Sequence, residues 1–210
     1  MRIICFEGPS AVGKTSTAAA MAEAVGACVI PEVNVLFERP AAERPEWYFE
    51  RQVDRWRLAE SEAQTHPLVV LDGDPYQPLW YTWAYDFKGW QGLDFMQAFY
   101  RPRIAEGALG FPHRYIILGA TIEELRRRKE VDTSRRRGGF ETHLRFIEPQ
   151  RRYFRMMQAF APGLVHFSES RSTEENVQVA TRPDGSPLSR ERALALFDFL
   201  VGWLRSHRAT

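Results

Sequence analysis

The chain has 210 residues, of which 44% are apolar, and a formal net charge of +1. This length and composition suit one domain with a sizeable core, so we expect a single domain over residues 1–210. The near-neutral charge gives no bulk attraction to nucleic acid, and no apolar run approaches the roughly 18 residues that a membrane span needs. The N-terminus enters a strand pattern at once rather than a signal peptide, so we expect a cytoplasmic protein without nucleic-acid or membrane partners.

Apolar runs of strand length alternate with helical patterns along the chain. The runs are "RIICFE", "ACVI", "LVVLD", "RYIILGA" and "LVHF". This alternation predicts an α/β fold in three layers, a five-stranded parallel sheet with helices on both faces. The predicted helices fall at about 13–25, 45–64, 75–85, 93–106, 122–130, 139–159 and 189–205. Segment 177–188 alternates and carries a Pro-Asp-Gly turn, which predicts a small hairpin of unassigned role.

A phosphate-binding (Walker A) pattern, GxxxxGK[ST], is complete in "GPSAVGKT" between the first strand and the first helix. Glycines let successive N–H groups point at one anion, and the helix places its positive end beneath it. Lys14 would reach the β and γ phosphates of ATP, and the Thr15 hydroxyl would bind Mg²⁺. The residues expected to contact the nucleotide are Gly8, Pro9, Ser10, Ala11, Val12, Gly13, Lys14, Thr15 and Ser16.

Two aspartates follow the third predicted strand, where ligands gather in a parallel sheet. Asp72 ends the strand, so its carboxylate could hold Mg²⁺ through water or accept the proton of an attacking hydroxyl. Asp74 precedes Pro75, so it either contacts substrate or caps the following helix. Whether Asp72 or Asp74 is the base stays open at this point.

Candidate acceptor-binding residues lie after the second strand and in an aromatic segment. Glu32 follows "ACVI" closely and could accept hydrogen bonds from substrate hydroxyls, or be a solvated loop residue. Tyr48, Gln52 and Arg55 share a polar and aromatic helix face that suits a planar ligand, although an ordinary helix surface would look similar. Among the aromatics that follow Asp74 we expect Tyr76 and Trp80 to touch substrate, since most aromatics pack instead.

Arginine makes up 25 of the 28 basic residues, so a single arginine is weak evidence for phosphate binding. Two arginine triplets stand out. The first spreads around a helix, and within it Arg128 is a catalytic candidate. The second precedes two glycines and predicts a lid at about 131–140, in which Arg135 and Arg136 would stabilise the transferring phosphoryl group. A solvated basic loop or a contact for an acidic partner is the alternative.

"GPSAVGKT", "PE" at Pro31, "LDGD" and "LRRRKEVDTSRRRGGFETHL" together resemble the P-loop nucleoside and nucleotide kinases, including deoxynucleoside, thymidylate and nicotinamide-riboside-kinase-like proteins. The resemblance implies a P-loop kinase fold with an arginine-rich lid, and ATP and Mg²⁺ as cofactors. It also implies a base or metal ligand at Asp72, a sugar contact at Glu32 and, with a shorter spacing, a base contact at Gln52. Gly73 stands where the family has arginine, so substrate orientation would come from Arg101, Arg103 or the lid.

The leading interpretation is an ATP-dependent kinase that phosphorylates a hydroxyl of a nucleoside-like or sugar-bearing small molecule. The alternatives are a nucleoside monophosphate kinase, an antibiotic-inactivating phosphotransferase, and a P-loop NTPase switch. The missing NKxD motif argues against a GTPase switch. The acceptor, the preference for ATP over GTP and the oligomeric state, including a homodimer, stay open. Cys5 and Cys28 are expected to be reduced core residues rather than metal ligands, and the five histidines lack ligand spacing.

Overall fold

A parallel sheet forms the centre of the protein in a computed structural model that describes residues 2–88, 91–132, 139–183 and 185–209. Its strand order is β2-β3-β1-β4-β5, and all neighbours are parallel. The predicted α/β class and five-stranded parallel sheet are therefore confirmed. The strands are β1 Arg2–Glu7, β2 Cys28–Ile30, β3 Leu68–Asp72, β4 Arg114–Gly119 and β5 Val165–Glu169.

Helices connect the strands and cover both faces of the sheet. They are α1 Lys14–Val25, α2 Val33–Leu36, α3 Trp47–Glu62, α4 Gln77–Ala84, α5 Leu93–Glu106, α6 Ile122–Val131, α7 Phe140–Leu144, α8 Ile147–Phe160, α9 Thr173–Thr181 and α10 Arg190–Ser206. The outer ends of the predicted helices agree within two residues. The helix predicted at 139–159 is divided into α7 and α8, and the predictions omitted α2 and α9.

The hairpin predicted at 177–188 is wrong, because its first part belongs to α9. The Ser172 hydroxyl accepts a hydrogen bond from the Glu175 N–H at 3.2 Å, which caps the N-terminus of this helix. On the buried side, Asn176 Nδ2 donates to the Thr17 hydroxyl of α1 at 3.1 Å. Helix capping and packing against α1 therefore override the short alternating pattern. The described residues after Thr181 in this segment form no strand.

Each face of the sheet packs into its own hydrophobic core. In β1, Ile3 and Cys5 point into the core formed with α3, α4, α5, α8 and α10, while Ile4 and Phe6 point into the core formed with α1 and α6. This alternation gives the three predicted layers. None of the helices in the described ranges combines the length and the apolar character needed to cross a membrane.

The predicted lid at 131–140 falls largely on residues 133–138, which lie outside the described residues. Arg135 and Arg136 are among them, so their roles stay predictions. The described ends of the segment are the last turn of α6 and the start of α7 at Phe140.

Candidate active site

The phosphate loop joins β1 to α1 through left-handed backbone turns. Gly8 has φ +138°, Ala11 +67° and Gly13 +104°. A Cβ at Gly8 would lie 2.3 Å from the Leu118 carbonyl oxygen, so only glycine fits between the loop and β4. Such turns, combined with the N-terminus of α1, form a cradle for an anion.

Lys14 lies across this cradle. Its Nζ donates hydrogen bonds to the carbonyl oxygens of Gly8 at 2.8 Å and Pro9 at 3.3 Å. The ammonium group is thus held over the loop, where a bound polyphosphate would meet it. This geometry is consistent with the predicted contact to the β and γ phosphates.

Thr15 and Asp72 meet where α1 starts and β3 ends. The Thr15 hydroxyl donates to Asp72 Oδ2 at 2.8 Å. Asp72 is buried, and its Oδ1 accepts no hydrogen bond from the described residues. A hydroxyl beside a carboxylate with a free oxygen is a ligand set that suits Mg²⁺, whose remaining positions are usually filled by water and phosphate. The two residues therefore fit the metal role predicted for them.

A cleft of about 530 Å³ opens directly from the phosphate loop. Its volume is in the range of small-molecule sites. Of the predicted acceptor-binding residues, Glu32, Tyr48 and Trp80 line it. The wall also includes side chains that the sequence did not single out: Glu7, Asn34, Arg39, Gln77, Tyr81, His143, Phe146 and Gln150.

Hydrogen bonds fix several polar groups of this wall. The Tyr48 hydroxyl donates to Gln77 Oε1 at 3.0 Å, joining α3 to α4. The Tyr81 hydroxyl lies 3.2 Å from His143 Nε2, joining α4 to α7. Burial lowers the pKa of His143, with a smaller effect from the charge of Lys14. The imidazole is therefore neutral at neutral pH, and the cleft is polar and aromatic in character.

Glu7 forms a buried carboxylate at the floor of the cleft. Its Oε1 accepts from the Asp74 N–H at 2.8 Å, and its Oε2 accepts from Gln150 Nε2 at 2.8 Å and the Gly8 N–H at 3.2 Å. Burial raises the pKa of Glu7, and the nearby charge of Lys14 opposes that effect. Glu7 therefore ties the phosphate loop to the β3–α4 turn and to α8.

Asp74 lies below the cleft wall, so we correct its predicted contact with substrate. It is fully buried, and its Oδ1 accepts hydrogen bonds from the Tyr115 hydroxyl at 2.9 Å and the Tyr76 N–H at 3.0 Å. Burial, followed by the charge of Glu7, raises the pKa of Asp74 to about 7. The capping alternative holds for the turn before α4, because Asp74 Oδ1 accepts from the Tyr76 N–H there, while α4 itself begins at Gln77 with Tyr76 at the cap position.

Arg55 of α3 joins the ends of β2 and β3 from within the core. Its Nε donates to the Pro31 carbonyl at 2.7 Å, and its Nη2 donates to the carbonyls of Asp72 at 2.8 Å and Gly73 at 3.1 Å. Burial lowers the pKa of this guanidinium. An arginine thus reaches this turn from α3, although the position after Asp72 is glycine. Its bonds fix the backbone beside Glu32 and Asp72.

Gln52 is also buried, and its Oε1 accepts from Arg55 Nη1 at 2.6 Å. Its side chain supports Arg55 and does not line the cleft. The predicted contact between Gln52 and a substrate base is therefore corrected to a supporting position behind Tyr48.

The predicted substrate contacts of Tyr76 and Arg101 are likewise corrected. Tyr76 is fully buried and stacks on Phe111 with ring centroids 4.3 Å apart. Arg101 is on the surface of α5, where its Nε donates to Asp198 Oδ1 of α10 at 2.9 Å. Neither side chain lines the cleft.

Arg128 contacts the outer side of the phosphate loop. Its Nη1 donates to the Val12 carbonyl at 2.8 Å, its Nε donates to Glu124 at 2.6 Å, and its Nη2 donates to the Ser170 carbonyl. In the structure this guanidinium braces the loop against the turn after β5, and a direct catalytic role for Arg128 stays a prediction. A second cavity of about 690 Å³ lies here, at the carboxyl ends of β4 and β5, and includes Pro9 in its wall.

Several residues of the site escaped the sequence predictions. Glu7 ends an apolar strand, the same signal that identified Asp72, so it could have been found. Gln150 and His143 come from helices whose approach to the site depends on tertiary packing, and no local pattern marks them.

The structure is similar to solved kinases. It matches a deoxyadenosine kinase from M. mycoides with bound dATP (15% identity, TM-score 0.56, covering 86% of this chain and 97% of that one). The same enzyme with dCMP and a flexible dCDP gives a TM-score of 0.53 at 15% identity, with 85% and 96% covered. A thymidylate kinase from Candida albicans gives 0.56 at 13% identity, with 85% and 88% covered. No family model and no curated protein matches the chain.

The chain therefore has the P-loop fold of these nucleoside and nucleotide kinases over most of its length. The resemblance inferred from the sequence motifs is confirmed at the level of the fold. Identities of 13–15% do not extend it to a particular substrate.

Proposed function

We propose that this protein is an ATP-dependent kinase that transfers the γ-phosphoryl group to a hydroxyl of a nucleoside-like or sugar-bearing small molecule. The observation that carries the proposal is the shared cavity: Lys14 and Thr15 line the same cleft as Glu32 and Trp80. A phosphate cradle that opens into an aromatic and polar cleft can bring a phosphoryl donor and a hydroxyl acceptor into line.

The donor side would use ATP and Mg²⁺. Thr15 and Asp72 would hold the ion, which would neutralise charge on the phosphates when bound. Lys14 would leave the carbonyls of Gly8 and Pro9 to contact the β and γ phosphates. The cavity at the carboxyl ends of β4 and β5 adjoins the phosphate loop through Pro9 and has the volume to take the nucleoside part of ATP.

The acceptor side would depend on Glu32. The hydroxyl of Thr15, the other predicted metal ligand, bonds directly to Asp72, which favours a metal ligand over a base for this carboxylate. The Glu32 carboxylate lines the cleft, and the backbone beside it is fixed by Arg55 through Pro31. We therefore assign Glu32 as the group that orients the acceptor hydroxyl and takes its proton. Tyr48 and Trp80 would contact the planar part of the acceptor.

A nucleoside monophosphate kinase is the second candidate, favoured by Arg39. This arginine lines the cleft, and in the structure its guanidinium pairs with Glu43 on the surface. A cation at the cleft wall could exchange that carboxylate for the phosphate of a phosphorylated acceptor. In that case Arg39→Gln would raise KM for the monophosphate; for an unphosphorylated nucleoside the variant would leave KM unchanged.

A screen of ATP consumption tests the proposal, using nucleosides, nucleoside monophosphates and sugar-bearing compounds as acceptors. We expect ADP formation that depends on one acceptor class and is lost in Lys14→Ala. Slow hydrolysis that no acceptor stimulates would contradict the kinase assignment and favour an NTPase switch. Turnover with monophosphates alone would replace the first candidate with the second.

A further inference from the structure

Three side chains with metal-binding atoms meet at the end of the sheet that lies opposite the phosphate loop. Cys28 is the first residue of β2, Glu62 is the last residue of α3, and His66 lies just before β3. The ligand atoms of these three side chains lie within 4.8 Å of one another. Because the strands are parallel and the phosphate loop follows the carboxyl end of β1, this cluster lies at the opposite, amino end of the sheet.

Direct contacts already hold the cluster together. His66 Nδ1 lies 3.2 Å from Glu62 Oε2, and the Cys28 sulfur lies within 4.8 Å of the ligand atoms of both residues. The Thr65 hydroxyl and the Glu62 backbone carbonyl oxygen each lie 3.1 Å from the same ring nitrogen, and His66 would exchange these contacts for a metal ion on binding through Nδ1. The Glu62 and His66 side chains are 33% and 39% exposed, so an ion from solvent can reach them.

We propose that Cys28, Glu62 and His66 form a Zn²⁺-binding site, with water as the fourth ligand. Sulfur, imidazole nitrogen and carboxylate oxygen form a mixed donor set of the kind that zinc binds in tetrahedral geometry. On binding, the Cys28 thiol loses its proton to solvent as the sulfur–zinc bond forms. The thiolate and the Glu62 carboxylate then balance the two charges of the ion.

Metal binding at this site would stabilise the terminal strand β2. β2 is a terminal strand of only three residues, paired with β3 on one side. A metal bound by Cys28, Glu62 and His66 would link the start of this strand to the end of α3 and the approach to β3. Zinc should therefore raise the thermal stability of the protein, because an ion that binds only the folded chain stabilises it. This role is independent of phosphoryl transfer.

Cobalt titration of the metal-free protein, with excess Mg²⁺ present to occupy carboxylate sites, tests the proposal. We expect one equivalent of Co²⁺ with a thiolate-to-cobalt absorption band, displaced by one equivalent of Zn²⁺. Cys28→Ser should lose the band. His66→Gln should weaken binding by at least about tenfold, which is the lower end of what altering even an outer partner of a metal ligand costs. His207→Gln, an exposed histidine at the end of α10, is the matched control and should bind as the wild type does.

A second measurement covers the case in which a variant does not fold. Cys5 is fully buried, so Cys28 is the cysteine that a thiol reagent meets first in the native protein. One equivalent of Zn²⁺ should protect Cys28 from that reagent in the unmodified chain. Unchanged reactivity with zinc, or an unchanged cobalt band in folded Cys28→Ser, would overturn the proposal and leave Cys28 as an ordinary half-buried thiol.

Discussion

The buried carboxylate of Asp74 predicts how stability varies with pH. Burial and the charge of Glu7 raise the pKa of Asp74 to about 7 in the folded protein, while an Asp in an unfolded chain titrates near about 3.9. At a pH between these two pKa values, Asp74 is ionised in the unfolded chain and protonated in the folded protein. The stability that Asp74 contributes is therefore fully present below about pH 4 and is lost as pH rises to about 7.

The magnitude follows from the two pKa values. A difference of about three pH units, at about 1.4 kcal/mol each, corresponds to a loss of about 4 kcal/mol, as an order of magnitude. Asp74→Asn keeps a side-chain oxygen that can accept hydrogen bonds from the Tyr115 hydroxyl and the Tyr76 N–H, and the amide side chain cannot ionise. We expect the variant to gain stability relative to wild type as pH rises from 5 to 8.

Urea unfolding of both proteins across this range measures the effect, and the difference between them reports the ionisation of Asp74 together with its coupling to Glu7. Asp94→Asn, which removes an exposed carboxylate of α5, is the control and should leave the wild-type slope unchanged. Parallel pH profiles for wild type and Asp74→Asn would refute the reasoning, because they would mean that Asp74 ionises as freely in the folded protein as in the unfolded one.

Four further predictions concern the site. Lys14→Ala and Thr15→Ala should each abolish phosphoryl transfer in a chain that still folds; full activity in either would contradict the phosphate-loop assignment. Asp72→Asn should lower kcat by about 10²-fold or more with a smaller effect on ATP binding, measured by steady-state kinetics and calorimetry. Arg55→Met should lower the free energy of unfolding in urea by about 3 kcal/mol or more, because three carbonyl oxygens lose their donor. An unchanged free energy would contradict the role of Arg55 in holding the ends of β2 and β3. Replacing the arginines at 135–137 by glutamine should reduce kcat far more than ATP affinity, and unchanged kcat would reduce the segment to a solvated loop.

The geometry of the phosphate loop could be predicted from the sequence because its signals are local. The phosphate loop needs glycine at position 8, because a Cβ there would meet the Leu118 carbonyl. This requirement appears in the sequence as a glycine at a fixed distance from Lys14. Asp72 was found because polar residues at the ends of buried strands are few. The three central strands β1, β3 and β4 were clear because both of their faces are buried, which gives nearly continuous apolar runs.

The acceptor side was predicted less well because it is built by tertiary contacts. The aromatic segment of α4 gave no means of telling Trp80, which lines the cleft, from Tyr76, which stacks inside the core. The sequence could not show that Arg101 pairs with Asp198 of α10 instead of contacting substrate, because that pair depends on tertiary packing. The group formed by Cys28, Glu62 and His66 was missed for the same reason, since Cys28 is distant in sequence from the other two residues and only the fold brings it beside them.

Transfer of a labelled γ-phosphate tests the central claim most directly, because the claim is that the phosphate loop and the neighbouring cleft form one site. Wild type and Glu32→Gln would be incubated with γ-labelled ATP, Mg²⁺ and the acceptor class found by screening, and the label would be followed into products. The account predicts label on the acceptor in wild type and a large loss of that product in Glu32→Gln, with ATP binding retained. Label released only as inorganic phosphate, or equal transfer by both proteins, would contradict it.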